Sequence, residues 1–155
     1  MAEISWYDLE SPLPRPRLEV IADSHDTDKN SGAHDYTQLY SQYFDPIRYS
    51  ARAIVEIGVW RGESLRMWRE YFPDALVFGI DIDSECVAHR GDRIGVYTGS
   101  QSDVDFLLAT ITEIGRELDV VIDDGSHLAT DYRVSFETLF PLVRSGGWYV
   151  IEDTN

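Results

Sequence analysis

Val120-Val121-Ile122-Asp123-Asp124-Gly125-Ser126-His127 is an apolar run that breaks into two carboxylates and, past a glycine turn, a histidine. A near-continuous β-branched run of this kind is what a strand needs when its sheet is covered on both faces. Trp148-Tyr149-Val150-Ile151 breaks in the same way into Glu152-Asp153. In an open parallel α/β sheet, ligands sit in the crevice beyond the carboxyl ends of the strands. Two neighbouring strands that discharge carboxylates there, with a histidine alongside, make a site for a hard cation.

Outward from these two strands the chain alternates strand and helix. Strands are expected over Ala53–Ile57, Leu76–Ile80, Ile94–Tyr97, Val120–Ile122 and Trp148–Ile151. Helices are expected over Glu63–Tyr71, Ser84–His89, Asp103–Arg116 and Thr130–Leu142. The alternation predicts an α/β fold, a Rossmann-like doubly wound parallel sheet with five strands present. Before it, residues 19–50 read as a helical lid or N-terminal segment. Leu18–Ala22 form a short helix, and Asp35 caps a second that carries Tyr36, Leu39, Tyr40 and Tyr43 at helical spacing until Pro46. Residues 1–18, with Pro12, Pro14 and Pro16 in alternation, read as an extended arm. That arm is either a free terminus or a contact to a partner subunit, which would make a homo-oligomer. Residues 51–155 form the core unit. The chain ends just after the fifth strand, which would leave that strand near a sheet edge. The expectation is therefore a core whose C-terminal strands are missing, with a further element in a longer parent or a partner over the edge.

Composition narrows the function classes. The chain has 155 residues, 13 basic and 28 acidic, for a formal net charge of −15. Such a balance repels phosphate backbones, so nucleic acid is not an expected partner. No apolar run is long enough to span a membrane, and the start of the chain does not read as a signal peptide. Cys86 is the only cysteine, which rules out an internal disulfide and a cysteine-based zinc site. A reducing, cytoplasmic setting is the default.

Val55-Glu56-Ile57-Gly58-Val59-Trp60-Arg61-Gly62 runs from the first strand into a helix, and its glycines permit a sharp turn and close approach of a ligand. The spacing is not that of dinucleotide enzymes. Glu56 within the strand would repel phosphate and suits a ligand bearing an ammonium group. Asp81, ending the second strand, stands where an acid commonly accepts ribose hydroxyls, with helix capping as its alternative. Glu56, Gly58 and Asp81 together suggest S-adenosylmethionine, which offers an amino acid and a ribose but no phosphate. Gln101 and Ser102, after the third strand, either edge an adenine or serve a helix cap. Asp123 sits with the cofactor-binding residues or caps the turn that follows it. His25, His34 and His89 read as surface or packing residues, and Trp60, Trp68, Phe136 and Phe140 as core.

The ordered set Asp26-Thr27-Asp28-Lys29, His34-Asp35-Tyr36-Thr37, Val55-Glu56-Ile57-Gly58, Gly79-Ile80-Asp81, Gln101-Ser102-Asp103, Ile122 to His127 and Ile151-Glu152-Asp153-Thr154 resembles class I S-adenosylmethionine-dependent methyltransferases. Among them it is most similar to the metal-dependent sugar O-methyltransferases of macrolide pathways, the mycinamicin type. The resemblance implies a Mg²⁺ ion and methyl transfer to a hydroxyl of a sugar or other small natural product. It implies Asp124, Glu152 and Asp153 as metal ligands, His127 as general base, and Glu56, Gly58, Asp81 and Gln101 at the cofactor. It puts the Asp28-Lys29 and His34–Tyr36 region in a lid segment. The chain departs from the family pattern at Ser100, where Asp is usual, and at Asp26, where Gly is usual. Two other readings stand beside this one. The first is a cofactor-binding module without turnover that needs a partner chain. The second is a relative of the cephalosporin hydroxylases, against which an oxygen-only ligand set argues.

Overall fold

The computed structural model describes residues 17–30 and 32–154. The proline-rich stretch through Pro16 lies outside them. Among the described residues, five strands run parallel in the order β3-β2-β1-β4-β5: β1 Ala53–Ile57, β2 Leu76–Asp81, β3 Ile94–Thr98, β4 Leu118–Asp123 and β5 Val143–Ile151. The helices are α1 Leu18–His25, α2 Thr37–Phe44, α3 Glu63–Tyr71, α4 Val104–Ile114 and α5 Ala129–Leu139. This is the Rossmann-like sheet that the alternation predicts.

Strand periodicity divides the core into two layers. Ile54, Val77, Val96, Val120 and Ile122 pack with Leu18, Ile21, Phe44, Leu65 and Trp68 on the α1–α2–α3 side. Ala53, Val55, Ile57, Ile80 and Val121 pack with Leu107, Ile111 and Leu139 on the α4–α5 side. Successive side chains of a strand point to opposite faces, so both faces of β1 and β4 are buried and their apolar runs are continuous. The same parity sends Glu56 toward α3 and Asp123 toward α5, and this decides what each can touch.

Several boundaries differ from expectation for local reasons. The segment Ser84–His89 is a 3-10 helix rather than an α-helix. Asp103, not Ser102, caps α4, its carboxylate accepting the Phe106 N–H at 3.0 Å. Asp35 does not cap α2; it has φ 53° and the helix begins at Thr37. The fifth strand begins at Val143, five residues earlier than its apolar run, with a register irregularity opposite Leu118 and Val120. Trp68 is core, but Trp60 is 65% exposed, and Phe136 and Phe140 are exposed as well. Among the described residues, no helix is long and apolar enough to cross a membrane.

Candidate active site

Strands β1 and β4 are neighbours although β2 and β3 lie between them in the chain, so the sheet reverses its winding at this pair. Such a switch point opens a crevice at the carboxyl ends. The backbone ladders continue past the strands there. Gly58 N–H donates to Ile80 O, Asp124 N–H to Ile57 O and Glu152 N–H to Asp123 O, each at 2.9 Å. Gly58 has φ 90°, and a Cβ on it would overlap the Asp124 carbonyl. The close approach of two strand ends therefore requires glycine here, and Gly58 also lines the crevice.

A cavity of about 380 Å³ opens over these ends, lined by Gly58, Trp60, Asp81, Asp124, His127 and Asp153 among others. Asp26, Asp28, Glu63 and Asp83 add further carboxylates to its wall. A second cavity of about 180 Å³ shares Gly58, Asp81 and Gly125 with it and is bounded by Ile80, Ile82, Ser100 and Gln101. Asp81 therefore stands between two compartments. Its Oδ2 accepts the N–H groups of Val59 (2.7 Å) and Trp60 (3.2 Å), and Oδ1 accepts that of Asp83 (2.9 Å). Burial would raise the Asp81 pKa, but these backbone donors outweigh it and hold the carboxyl below its ordinary range.

At the far end of the larger cavity, one donor atom each from Asp124, His127 and Asp153 lies within 4.8 Å of the others. His127 and Asp153 adopt left-handed backbone conformations, φ 57° and 52°. Asp and His visit that region more readily than most residues, and strain of this kind gathers at functional sites. Asp153 Oδ1 accepts the Tyr36 hydroxyl at 2.6 Å, a bond that lowers the Asp153 pKa and raises that of Tyr36 to about 12. The Nδ1 atom of His127 lies 3.0 Å from the Tyr132 hydroxyl, which donates to the Glu152 carbonyl at 3.1 Å.

Of the expected metal trio, Asp124 and Asp153 line the larger cavity and come together with His127, while Glu152 lies off that wall and lines a neighbouring cavity with Tyr36, Tyr40 and Asp153. Glu152 is buried, its carboxylate accepting the Tyr40 hydroxyl and, at 3.0 Å, the Lys29 ammonium. Two cofactor assignments also land behind the cavity wall. Glu56 is fully buried and accepts from Ser64 Oγ (2.7 Å) and Trp68 Nε1 (3.1 Å). Burial pushes its carboxyl up to about 7, against the pull of Lys29. Asp123 accepts from Gln101 Nε2 (3.0 Å), Tyr149 (3.2 Å) and Ser135, and burial raises its pKa despite those bonds. Gln101 is both bracket and wall, since its Oε1 accepts the Ser126 N–H at 2.7 Å while it lines the smaller cavity. Ser102 is exposed and off that wall, where Ser100 stands instead.

Lys29 is the central residue that motif reading leaves in a peripheral segment. Its ammonium lies 2.6 Å from Asp124 Oδ2, 3.0 Å from Glu152 Oε2 and 3.7 Å from Glu56 Oε1. Burial alone would lower its pKa; the carboxylates of Glu56, Glu152 and Asp124 more than reverse that, and it is raised. A signal for it exists in the sequence, because it is the only lysine in the chain and every other cation is arginine.

A family model for a methyltransferase domain matches residues 55–154. The chain is 43% identical over 145 residues to the 8-demethyl-8-alpha-L-rhamnosyl tetracenomycin-C 2'-O-methyltransferase of Streptomyces olivaceus, covering 89% of this chain and 38% of that protein. It is 39% identical over 147 residues to the mycinamicin VI 2''-O-methyltransferase of Micromonospora griseorubida, covering 90% of this chain and 36% of that one. Among solved structures, the MycE methyltransferase of the mycinamycin pathway, in complex with Mg, SAH and mycinamycin VI, superposes with a TM-score of 0.83. It is 38% identical, over 90% of this chain and 40% of that one. The chain thus spans about two fifths of the length of the relatives it matches.

Proposed function

The chain belongs to the methyltransferase domain family, and from that premise we propose that it binds S-adenosylmethionine and, with a magnesium ion, methylates a hydroxyl of a sugar on a small natural product. The observation that carries this reading is the convergence of Asp124, Asp153 and His127 at one end of an acidic, two-compartment cavity. The donor set fits the ion: two carboxylates beside an imidazole suit a hard cation that keeps places for water and a substrate oxygen. The cavities fit the methyl donor too. A wall of carboxylates favours a sulfonium with an ammonium group over any phosphate-bearing cofactor, and Asp81 stands where a ribose between the two compartments would meet it.

When bound, S-adenosylmethionine supplies an electrophilic methyl, and magnesium supplies a hold on the acceptor oxygen that makes its proton easier to remove. The protein's own part is positional and acid–base. Asp124, Glu152 and Asp153 would hold the ion, Asp81 would accept the ribose hydroxyls, and Ser100 and Gln101 would edge the base. Tyr132 holds His127 by Nδ1, so Nε2 is left to take the acceptor proton. The segment 19–50 would act as a lid over this end, reaching the strand ends through Lys29, Tyr36 and Tyr40.

The test is transfer of labelled methyl from S-adenosylmethionine to a panel of deoxysugar-bearing macrolides and tetracenomycins, with magnesium and with a chelator. Magnesium-dependent labelling of a sugar hydroxyl is expected. Binding of S-adenosylhomocysteine with no transfer to any hydroxylated acceptor would contradict the catalytic reading.

A further inference from the structure

Two tyrosines one helical turn apart reach two consecutive acids beyond β5. The Tyr36 hydroxyl donates to Asp153 Oδ1 at 2.6 Å, and the Tyr40 hydroxyl donates to Glu152 Oε1. Tyr36 stands just before α2 in helical conformation, and the Tyr40 N–H donates to its carbonyl at 2.9 Å. Residues four apart in a helix share a face, so the two hydroxyls leave α2 on the same side. Side chains at successive strand positions would point apart. The left-handed backbone of Asp153, φ 52°, breaks that alternation, and both acids meet α2. The rings themselves are fixed by packing. Tyr40 is buried with its ring centroid 5.0 Å from that of Phe44 and 5.2 Å from that of Trp68, and Tyr36 stacks on His34 at 5.4 Å. The same tyrosines and acids line a cavity of about 300 Å³ with Leu39 and Val150, so this clasp borders open space and not only core.

We propose that Tyr36 and Tyr40 are positioning residues that aim Asp153 and Glu152 at the divalent ion, and that ion binding is thereby coupled to the docking of α2 on the strand ends. The proposal rests on the reading of Asp124, Glu152 and Asp153 as the ion's ligands. A carboxylate offers about four lone-pair sites, so one hydroxyl bond fixes the rotation of each acid and still leaves oxygen for the ion. Carboxylates that hold a metal lose about 10–100-fold in affinity when the groups hydrogen-bonded to them are removed. The coupling runs in both directions, because a helix that orients the ligands is itself held by the ion they bind.

Tyr36→Phe and Tyr40→Phe each remove one hydroxyl and leave ring and charge unchanged, so a change in ion affinity reports orientation. With S-adenosylhomocysteine bound, calorimetric titration should show Mg²⁺ binding each variant about 10–100-fold more weakly than wild type. Tyr43→Phe is the control on the same helix, since Tyr43 packs its ring on Trp148 at 4.8 Å, and its Mg²⁺ affinity should match wild type. Hydrogen exchange reads the coupling from the other side. Mg²⁺ should slow the amides of α2 by roughly 10-fold in wild type and by less in Tyr36→Phe. A lowered melting temperature with wild-type Mg²⁺ affinity would make the hydroxyls structural only and overturn the proposal, as would an equal loss of affinity in Tyr43→Phe. Should Tyr40→Phe fail to fold because buried Glu152 has lost a donor, Tyr36→Phe decides alone, and wild-type affinity in it overturns the proposal. Wild type that binds no Mg²⁺ would overturn the ion reading and this proposal with it, whereas Mg²⁺ binding that is equal in wild type and variants overturns this proposal only.

Discussion

The Tyr132 hydroxyl lies 3.0 Å from Nδ1 of His127 and 3.1 Å from the carbonyl of Glu152. A tyrosine has one proton to give, and the carbonyl can only accept, so the imidazole must donate from Nδ1. Burial and the surrounding carboxylates raise the Tyr132 pKa and keep its proton in place. The arrangement fixes one imidazole tautomer with its lone pair on Nε2. His127→Ala is expected to leave S-adenosylhomocysteine binding intact and to lower kcat by about 10²–10⁴. Tyr132→Phe should lower kcat by a smaller factor with KM little changed, and ¹⁵N shifts of the His127 ring should report a mixture of tautomers. Wild-type ring shifts in Tyr132→Phe would detach the tyrosine from this role.

Glu56 makes stability depend on pH. Its carboxyl is raised from 4.5 to about 7 in the folded state, chiefly by burial, so the folded protein holds a proton there that the unfolded chain has lost. Stability from this group is fully present below about 4.5 and disappears as the pH rises through about 7. Glu56→Gln, melted at a series of pH values across that window, should show a weaker decline than wild type. An unaltered slope would contradict the account of this side chain.

Asp119 is a strut under the opposite end of the sheet. Its Oδ2 accepts the N–H groups of Arg52 (2.7 Å) and Ala53 (2.9 Å), and Oδ1 meets the Arg144 guanidinium. It thereby joins the start of β1 to β4 and β5. Asp119→Ala leaves these donors unsatisfied and should cost about 2–4 kcal/mol in urea unfolding. A loss below about 1 kcal/mol would mean that water replaces the carboxylate at little cost.

Gly58→Ala tests whether the glycine serves the fold or the ligand. At φ 90°, with the Asp124 carbonyl where a Cβ would go, alanine should cost about 3 kcal/mol or more in the absence of any ligand. A variant of normal stability that has lost cofactor affinity would return the glycine to a ligand role.

Much of the sheet was legible because buried parallel strands write themselves as apolar runs. Ala53–Ile57 and Glu63–Tyr71 have the bounds their patterns predict. The fifth strand was legible only from Trp148, since Arg144, Ser145, Gly146 and Gly147 carry no apolar period. At the site, strand ends announce which acids are near the crevice but not which way each turns. Strand parity sends Glu56 and Asp123 into opposite helical layers, where Trp68 and Ser135 receive them. Lys29 could not be placed by periodicity, because it reaches Glu152 across 123 residues of chain from an irregular turn. Its rarity was the available clue.

We propose that Asp124, Glu152 and Asp153 hold one divalent ion next to His127, and calorimetric titration of Mg²⁺ in the presence of S-adenosylhomocysteine tests this most directly. Wild type should bind a single ion, and Asp124→Asn and Asp153→Asn should each weaken that binding at least ~10-fold while S-adenosylhomocysteine still binds. Equal Mg²⁺ affinity in wild type and either variant would contradict it.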